Sequence, residues 1–352
     1  MQEGNTMMQE RLTIGDLIVE PGTRADGTLG SIELADGTRV HVPLVVINGA
    51  HPGPTLTVIA GVHGNEISGI GALHGVFAAV DATTLRGRLI AVPGANPLAI
   101  QIGAYRTPID GANLSGPWYL TESDASSLGT TQRLARYLDP VLTAADYVID
   151  MHANPLPSIP FVLTDLEVCE SDEVRDGIRR IAEAYGTTII NWPRTKATSL
   201  RDICSVAGKP SLTPELAGNV VMWDDIVSVG TRGILNVMKA IGQLDGDIEP
   251  QSVPKIDGDL RFFGWLFAQR GGLMRSVVEP GVLTPRGATA IEIIDLYGHV
   301  KERITMPVTG YCWSFTGGVG GSHAVSEGDK LGYVFARTEE FEDGGAFVER
   351  PA

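Results

Sequence analysis

Three side chains stand out by type and position. His63 and Glu66 lie in Gly61-Val62-His63-Gly64-Asn65-Glu66, directly after the apolar run Thr55 to Ala60, and His152 follows Tyr147-Val148-Ile149-Asp150. Two imidazoles and a carboxylate, each just past a strand end, can make a three-ligand zinc site with one position open. An open position is what a metal needs to activate water. The expected chemistry is metal-assisted hydrolysis with one Zn2+ per protomer. His and Glu three apart share one side of a first helical turn, and neighbouring strands can bring His152 to them. Asp150, two residues before His152, is placed to orient an imidazole.

Hydrolysis also needs a group that moves protons. Glu215, in Leu212-Thr213-Pro214-Glu215-Leu216-Ala217-Gly218, is a lone acid in apolar surroundings at the end of a short strand. Desolvation there raises a carboxyl pKa toward neutrality, which suits a general base and acid. A carboxylate at a helix N-terminus reads equally well from this stretch alone. Arg106, in the loop from Asn96 to Asn113, could polarise a carbonyl or bind a carboxylate; a surface charge is the plainer reading. His41, His51, His74, His299 and His323 read as surface or packed histidines. Gly317 to Gly321 lacks the Lys and the strand-to-helix setting of a phosphate loop and reads as a turn.

These groups need a scaffold that gathers strand ends. From Thr55 the chain alternates apolar runs with helical stretches: Ile67 to Val80, Thr130 to Leu142, Asp172 to Tyr185 and Trp223 to Ile241 read as helices, with Gly69, Gly71 and Gly75 weakening the first. Such alternation implies an α/β fold, a mostly parallel or mixed sheet flanked by helices. Ligands in such sheets bind at the carboxyl ends of strands. Residues 1–45 read as an N-terminal β-rich extension and 46–245 as the catalytic domain. After a stretch rich in Asp, Gly and Pro, 255–340 reads as a smaller C-terminal all-β domain.

The formal net charge of −15 argues against nucleic acid or an anionic membrane as partner. No apolar run is long enough to span a bilayer, and the N-terminus lacks the pattern of a signal peptide. Cys169, Cys204 and Cys312 are far apart and odd in number, so they form neither a metal spacing nor a disulfide framework. Buried thiols in a reducing compartment are expected, hence a cytoplasmic protein. A homo-oligomer is compatible with these numbers.

Taken in order, Asn48-Gly49-Ala50, Gly53-Pro54, the 61–66 run, Asn96-Pro97, Asp110-Gly111, Asp150-Met151-His152 and Glu215 resemble the motifs of the succinylglutamate desuccinylase/aspartoacylase family. That family is a deacylase branch of the zinc carboxypeptidase superfamily, and the resemblance runs through the β-rich C-terminal region. It implies that His63, Glu66 and His152 bind one zinc, that Glu215 is the general base and acid, and that Arg106 faces the scissile carbonyl. The implied substrate is a small N-acyl amino acid or amine, cleaved at its amide bond; the alternative is a zinc carboxypeptidase acting on peptides. One departure bears on the substrate. After the Asp-Gly the family carries a Leu-Asn-Arg segment whose Asn and Arg grip a carboxylate, and here Ser115 and Gly116 hold those positions. A buried carboxylate without its arginine is costly. Either the substrate lacks a carboxylate there, or Arg194, Lys196 or Arg201 binds it, with Trp118 and Tyr119 as candidates for an apolar wall. The loss counts against an exopeptidase.

Overall fold

The structure is a computed structural model that describes residues 9–116, 128–194, 196–315 and 323–341. Trp118 and Tyr119, the Gly317 to Gly321 run and the acidic pair Glu342-Asp343 lie outside the described residues.

One large mixed sheet organises the chain. Its strands are β1 (Thr23–Glu33), β2 (Arg39–Asn48), β3 (His51–Ile59), β4 (Arg86–Val92), β5 (Tyr147–Asp150), β6 (His152–Asn154), β7 (Phe161–Thr164), β8 (Thr188–Asn191), β9 (Ser211–Ala217), β10 (Leu260–Phe267), β11 (Leu283–Thr284), β12 (Gly310–Phe315) and β13 (Lys330–Arg337). They lie in the order β11-β12-β13-β10-β8-β7-β9-β5-β3-β4-β2-β1, with β6 also on β9. The central ladders β4–β3–β5–β9 are parallel. β7 runs antiparallel to β9 and so turns the sheet mixed. Val58 and Ile59, at the end of β3, are fully buried, as a strand covered on both faces requires.

Among the described residues six α-helices cover the sheet: α1 (Ser68–Ala79), α2 (Pro97–Ile102), α3 (Thr130–Ala144), α4 (Asp172–Tyr185), α5 (Leu200–Val206) and α6 (Asp224–Ala240). One core joins the sheet to α1, α4 and α6 through Leu73, Val76, Ile181, Tyr185, Ile234 and Val237. The second core joins it to α3 and α5 through Leu134, Leu138, Leu200 and Cys204. The glycines that weaken α1 as an isolated helix have a packing role. A Cβ on Gly71 would lie 2.7 Å from Val227, and one on Gly75 2.4 Å from the Thr231 hydroxyl, so they let α1 press close to α6.

The C-terminal β region meets the large sheet directly. β10 pairs in parallel with β8, and β13, β12 and β11 add antiparallel to it. A separate four-stranded antiparallel sheet of Gly272–Ser276, Thr289–Ile294, Val300–Thr305 and Ala324–Val325 packs beside them over Met274, Ile291, Ile293 and Leu331. Among the described residues no helix is long and apolar enough to cross a membrane.

Candidate active site

His63 and Glu66 hang on the turn between β3 and α1. Gly61 takes φ +67°, a left-handed conformation that favours glycine, and turns the chain out of the strand. Gly64 admits the neighbouring loop: a Cβ there would lie 1.9 Å from the Ala99 carbonyl carbon. That loop is pinned at both ends. Asn96 caps α2 by accepting from Ala99 N at 3.2 Å, and its amide donates to the Thr107 hydroxyl at 2.9 Å. Asp110 accepts from the backbone and hydroxyl of Thr131 at the start of α3, at 2.8 and 2.6 Å. The Asn96-Pro97 and Asp110-Gly111 motifs therefore fix the loop that carries Tyr105, Arg106 and Asn113.

The sheet supplies the rest by register. His152 on β6 lies opposite Glu215 on β9, and residues paired this way send their side chains to one face. His63, Glu66 and His152 are buried, at 4%, 6% and 6% exposure, and their ligand atoms all lie within 4.8 Å of one another. The His63 Nδ1 is 2.9 Å from Glu66 Oε1, the His152 Nδ1 is 3.0 Å from Glu66 Oε2, and the two Nδ1 atoms are 3.1 Å apart. The Ala153 backbone N–H also donates to Glu66 Oε2 at 3.0 Å.

The outer contacts decide which nitrogens carry protons. Asn113 Oδ1 accepts from the Ser115 backbone N–H at 2.9 Å, which fixes the orientation of the amide, and the His63 Nε2 lies 3.0 Å from the same oxygen. That nitrogen must therefore donate, leaving the lone pair on Nδ1. The Tyr105 ring stacks on the His63 ring, with centroids 3.8 Å apart, and holds its plane. The His152 Nε2 is 3.0 Å from Asp150 Oδ2, a close but bent contact; Asp150 is otherwise without a hydrogen-bond donor among the described residues. In the neutral imidazole, with Nε2–H turned to Asp150, Nδ1 again carries the lone pair. Two lone pairs and a carboxylate thus converge with no donor between them, an arrangement that calls for a positive charge at its centre. Separations near 3 Å match the edge of roughly 3.3 Å expected for a tetrahedron of ligands about a zinc-sized ion. The group therefore suits a divalent metal ion.

Without an ion, a proton shared between His152 and Glu66 supplies that positive charge. Burial alone would raise the Glu66 pKa, but the adjacent His63 and His152 hold it well below the usual carboxylate range. Burial would lower that of His152, yet Asp150 and Glu66 raise it well above the ordinary imidazole value. Glu215 goes the other way. Burial pushes it up to about 8, with Glu66 and Asp150 adding to the shift against the pull of His152 and Arg201. Asn154, on β6 with His152, donates to Glu215 Oε2 at 2.9 Å.

Arg106 stands apart from this cluster. It is exposed, and its guanidinium donates to the Gly111 carbonyl at 3.3 Å, although its neighbour Tyr105 covers His63. Of the cations considered for a substrate carboxylate, Arg201 is 2% exposed and committed to Asp165 at 2.9 Å. Arg194 donates to Asp202 at 3.2 Å and lies 4.7 Å over the Trp192 ring. Lys196 is exposed. The sequence alone assigns no role to Asn113, Tyr105 or Asn154. Two carried a positional signal: Tyr105 stands beside Arg106, and Asn154 lies two residues after His152, the spacing that shares a strand face.

Residues 52–241, more than half of the chain, match the family model of the succinylglutamate desuccinylase/aspartoacylase catalytic domain. The N-alpha-acetyl-L-2,4-diaminobutyric acid deacetylase of Halomonas elongata is 27% identical over 266 residues, covering 73% of this chain and 75% of that protein. A succinylglutamate desuccinylase/aspartoacylase structure from Rhodobacter sphaeroides superposes with TM-score 0.75 at 25% identity, covering 89% of this chain and 96% of the other. The product-bound ectoine utilization protein EutE (DoeB) of Ruegeria pomeroyi shares the fold, with TM-score 0.79 at 21% identity over 93% of this chain and 99% of its own. The chain belongs to the succinylglutamate desuccinylase/aspartoacylase family.

Proposed function

We propose that this protein is a zinc-dependent deacylase that hydrolyses the amide bond of a small N-acyl amino acid or amine. The observation that carries the reading is the convergence of His63 Nδ1, His152 Nδ1 and the Glu66 carboxylate one strand away from Glu215. His63, Glu66 and His152 would hold one zinc ion, which supplies Lewis acidity for attack of water on the amide carbonyl.

The protein's own groups do the rest. Glu215 takes a proton from the attacking water and passes it to the leaving nitrogen, a task suited to a carboxyl group raised toward neutrality. Asn154 holds the Glu215 carboxylate by one oxygen, leaving the other for the proton. Asn113 and Asp150 keep the two imidazoles presenting Nδ1. Arg106 turns from the Gly111 carbonyl to support the oxygen of the scissile group, adding a planar donor where charge develops. Ser115 and Gly116, in place of Asn and Arg, leave the pocket without the family's grip on a substrate carboxylate, so the acylated compound is not held by a guanidinium there.

The test is a panel of N-acyl compounds with and without a free α-carboxylate, N-alpha-acetyl-L-2,4-diaminobutyrate among them, assayed with zinc present. Zinc-dependent hydrolysis of one or more, with weak or no turnover of N-acetylaspartate and N-succinylglutamate, is expected. Failure to hydrolyse any amide in the panel would overturn the activity. Efficient turnover of N-acetylaspartate or N-succinylglutamate would overturn the substrate argument while leaving the metal chemistry standing.

A further inference from the structure

Glu215 has neighbours on both sides of its sheet face. It lies opposite His152 in the β6–β9 ladder and opposite Phe161 in the β7–β9 ladder. The candidate metal ligand, the base and Phe161 therefore stand abreast on one face. Phe161 is the edge of an aromatic wall. Its ring centroid is 5.4 Å from that of Phe335, and the Phe335 ring stacks on Tyr333 at 6.0 Å with an interplanar angle of 14°. Both belong to β13, so the wall beside the base comes from the C-terminal strands.

Tyr333 differs from the rest of that wall. Its ring is gripped on several sides, 4.2 Å from Trp265, 6.3 Å from Phe262 and 6.4 Å from Trp192. Its hydroxyl makes no hydrogen bond with any described residue and is not among the buried polar atoms left without a partner, so it keeps contact with solvent. Apolar packing alone would be served as well by phenylalanine, which this wall uses at Phe161, Phe262 and Phe335.

We infer that Tyr333 is a substrate-binding residue: its hydroxyl donates a hydrogen bond to an oxygen of the N-acyl substrate, and the aromatic wall behind it takes the apolar part of the same molecule. This rests on the deacylase reading of the site. Burial, then the carboxylate of Glu215, the phenol of Tyr105 and the carboxylate of Glu66, keep the Tyr333 phenol protonated far above its ordinary range, so it acts as a neutral donor. A neutral donor needs no anionic partner. It holds a carboxamide oxygen as readily as a carboxylate, which suits a pocket whose guanidinium has been replaced by Gly116. The substrate class is an N-acyl amine or amino acid with an acceptor oxygen and an apolar segment.

The test compares the full-length zinc-loaded protein with Tyr333→Phe on paired N-acetyl amino acids and their carboxamides. Phenylalanine keeps the ring contacts, so melting temperature and zinc content should not change. The inference expects kcat/KM to fall by roughly 3- to 10-fold, the loss of one neutral hydrogen bond. The fall should appear mainly in KM and should affect acids and carboxamides alike. Equal kcat/KM for the two proteins on every hydrolysed compound would overturn it. Absence of hydrolysis by the unaltered protein would instead overturn the deacylase reading. In that event, calorimetric binding of the same compounds to zinc-loaded Glu215→Gln and to Glu215→Gln/Tyr333→Phe decides the role of Tyr333. Weaker binding by the double variant supports it; equal binding, or no binding of any compound, overturns it.

Discussion

Asn154 offers a sharp check on the proton-transfer geometry, because its amide touches the proposed base and nothing in its own chemistry can replace that base. Asn154→Leu keeps the size of the side chain and removes the N–H that donates to Glu215 Oε2 at 2.9 Å. A hydrogen bond to a charged group contributes about 1.5–3 kcal/mol, and one pH unit corresponds to about 1.4 kcal/mol. The lost bond stabilised the anion, so the Glu215 pKa rises. The base is then free of its proton only at higher pH, and the acid limb of kcat/KM moves up by about 1–2 pH units. The metal-free protein holds Glu215 near 8 through burial, and a bound dication draws the limb below that value in the unaltered enzyme. The assay is kcat/KM with saturating zinc from about pH 5 to 9 for both proteins. An acid limb that stays in place in Asn154→Leu would refute the reasoning, since either Glu215 is not the titrating base or Asn154 does not hold it.

Glu215→Gln keeps the size of the base but cannot accept a proton, so kcat should fall by roughly 100-fold or more with zinc retained; near-normal turnover would place the base elsewhere. Arg106→Lys keeps the charge but loses the planar fork, and the loss should fall mainly on kcat if the contact forms in the transition state; a change confined to KM would make Arg106 a plain substrate binder. Burial pushes the thiols of Cys204 and Cys312 up to about 12, and all three cysteines are buried. Iodoacetamide at about pH 8 should therefore leave the folded protein unmodified and label all three after denaturation. Rapid labelling of the native protein would contradict the packing.

Much of this site was legible because its residues follow apolar runs. The pattern before His63, His152 and Glu215 marks the strands, and parallel strands end on the same edge. What the pattern withholds is pairing. His152 stands opposite Glu215 because β6 and β9 are neighbours, a nonlocal fact. The same limit hid the passage of the large sheet into the C-terminal strands, since the alternation along β10 reads equally well in a separate domain. Tyr333 was invisible for a related reason: an aromatic in a β run looks like ordinary core until the cluster around it shows an unclaimed hydroxyl. The glycines of α1 misled in the opposite direction, weakening a helix that tertiary contact with α6 requires to be narrow. Arg106 lies in the loop beside Tyr105, yet its guanidinium rests on the Gly111 carbonyl rather than against the ligand cluster.

The central claim is that His63, Glu66 and His152 hold the metal on which hydrolysis depends. Elemental analysis and amide hydrolysis measured on the same preparations, before and after chelation and for His152→Ala, address it most directly. One zinc per chain is expected in the unaltered protein, with loss of activity with the metal and its return on adding zinc, and little zinc bound by His152→Ala, because two protein ligands hold zinc poorly. Full zinc occupancy in His152→Ala, or undiminished hydrolysis by the metal-free protein, would contradict it.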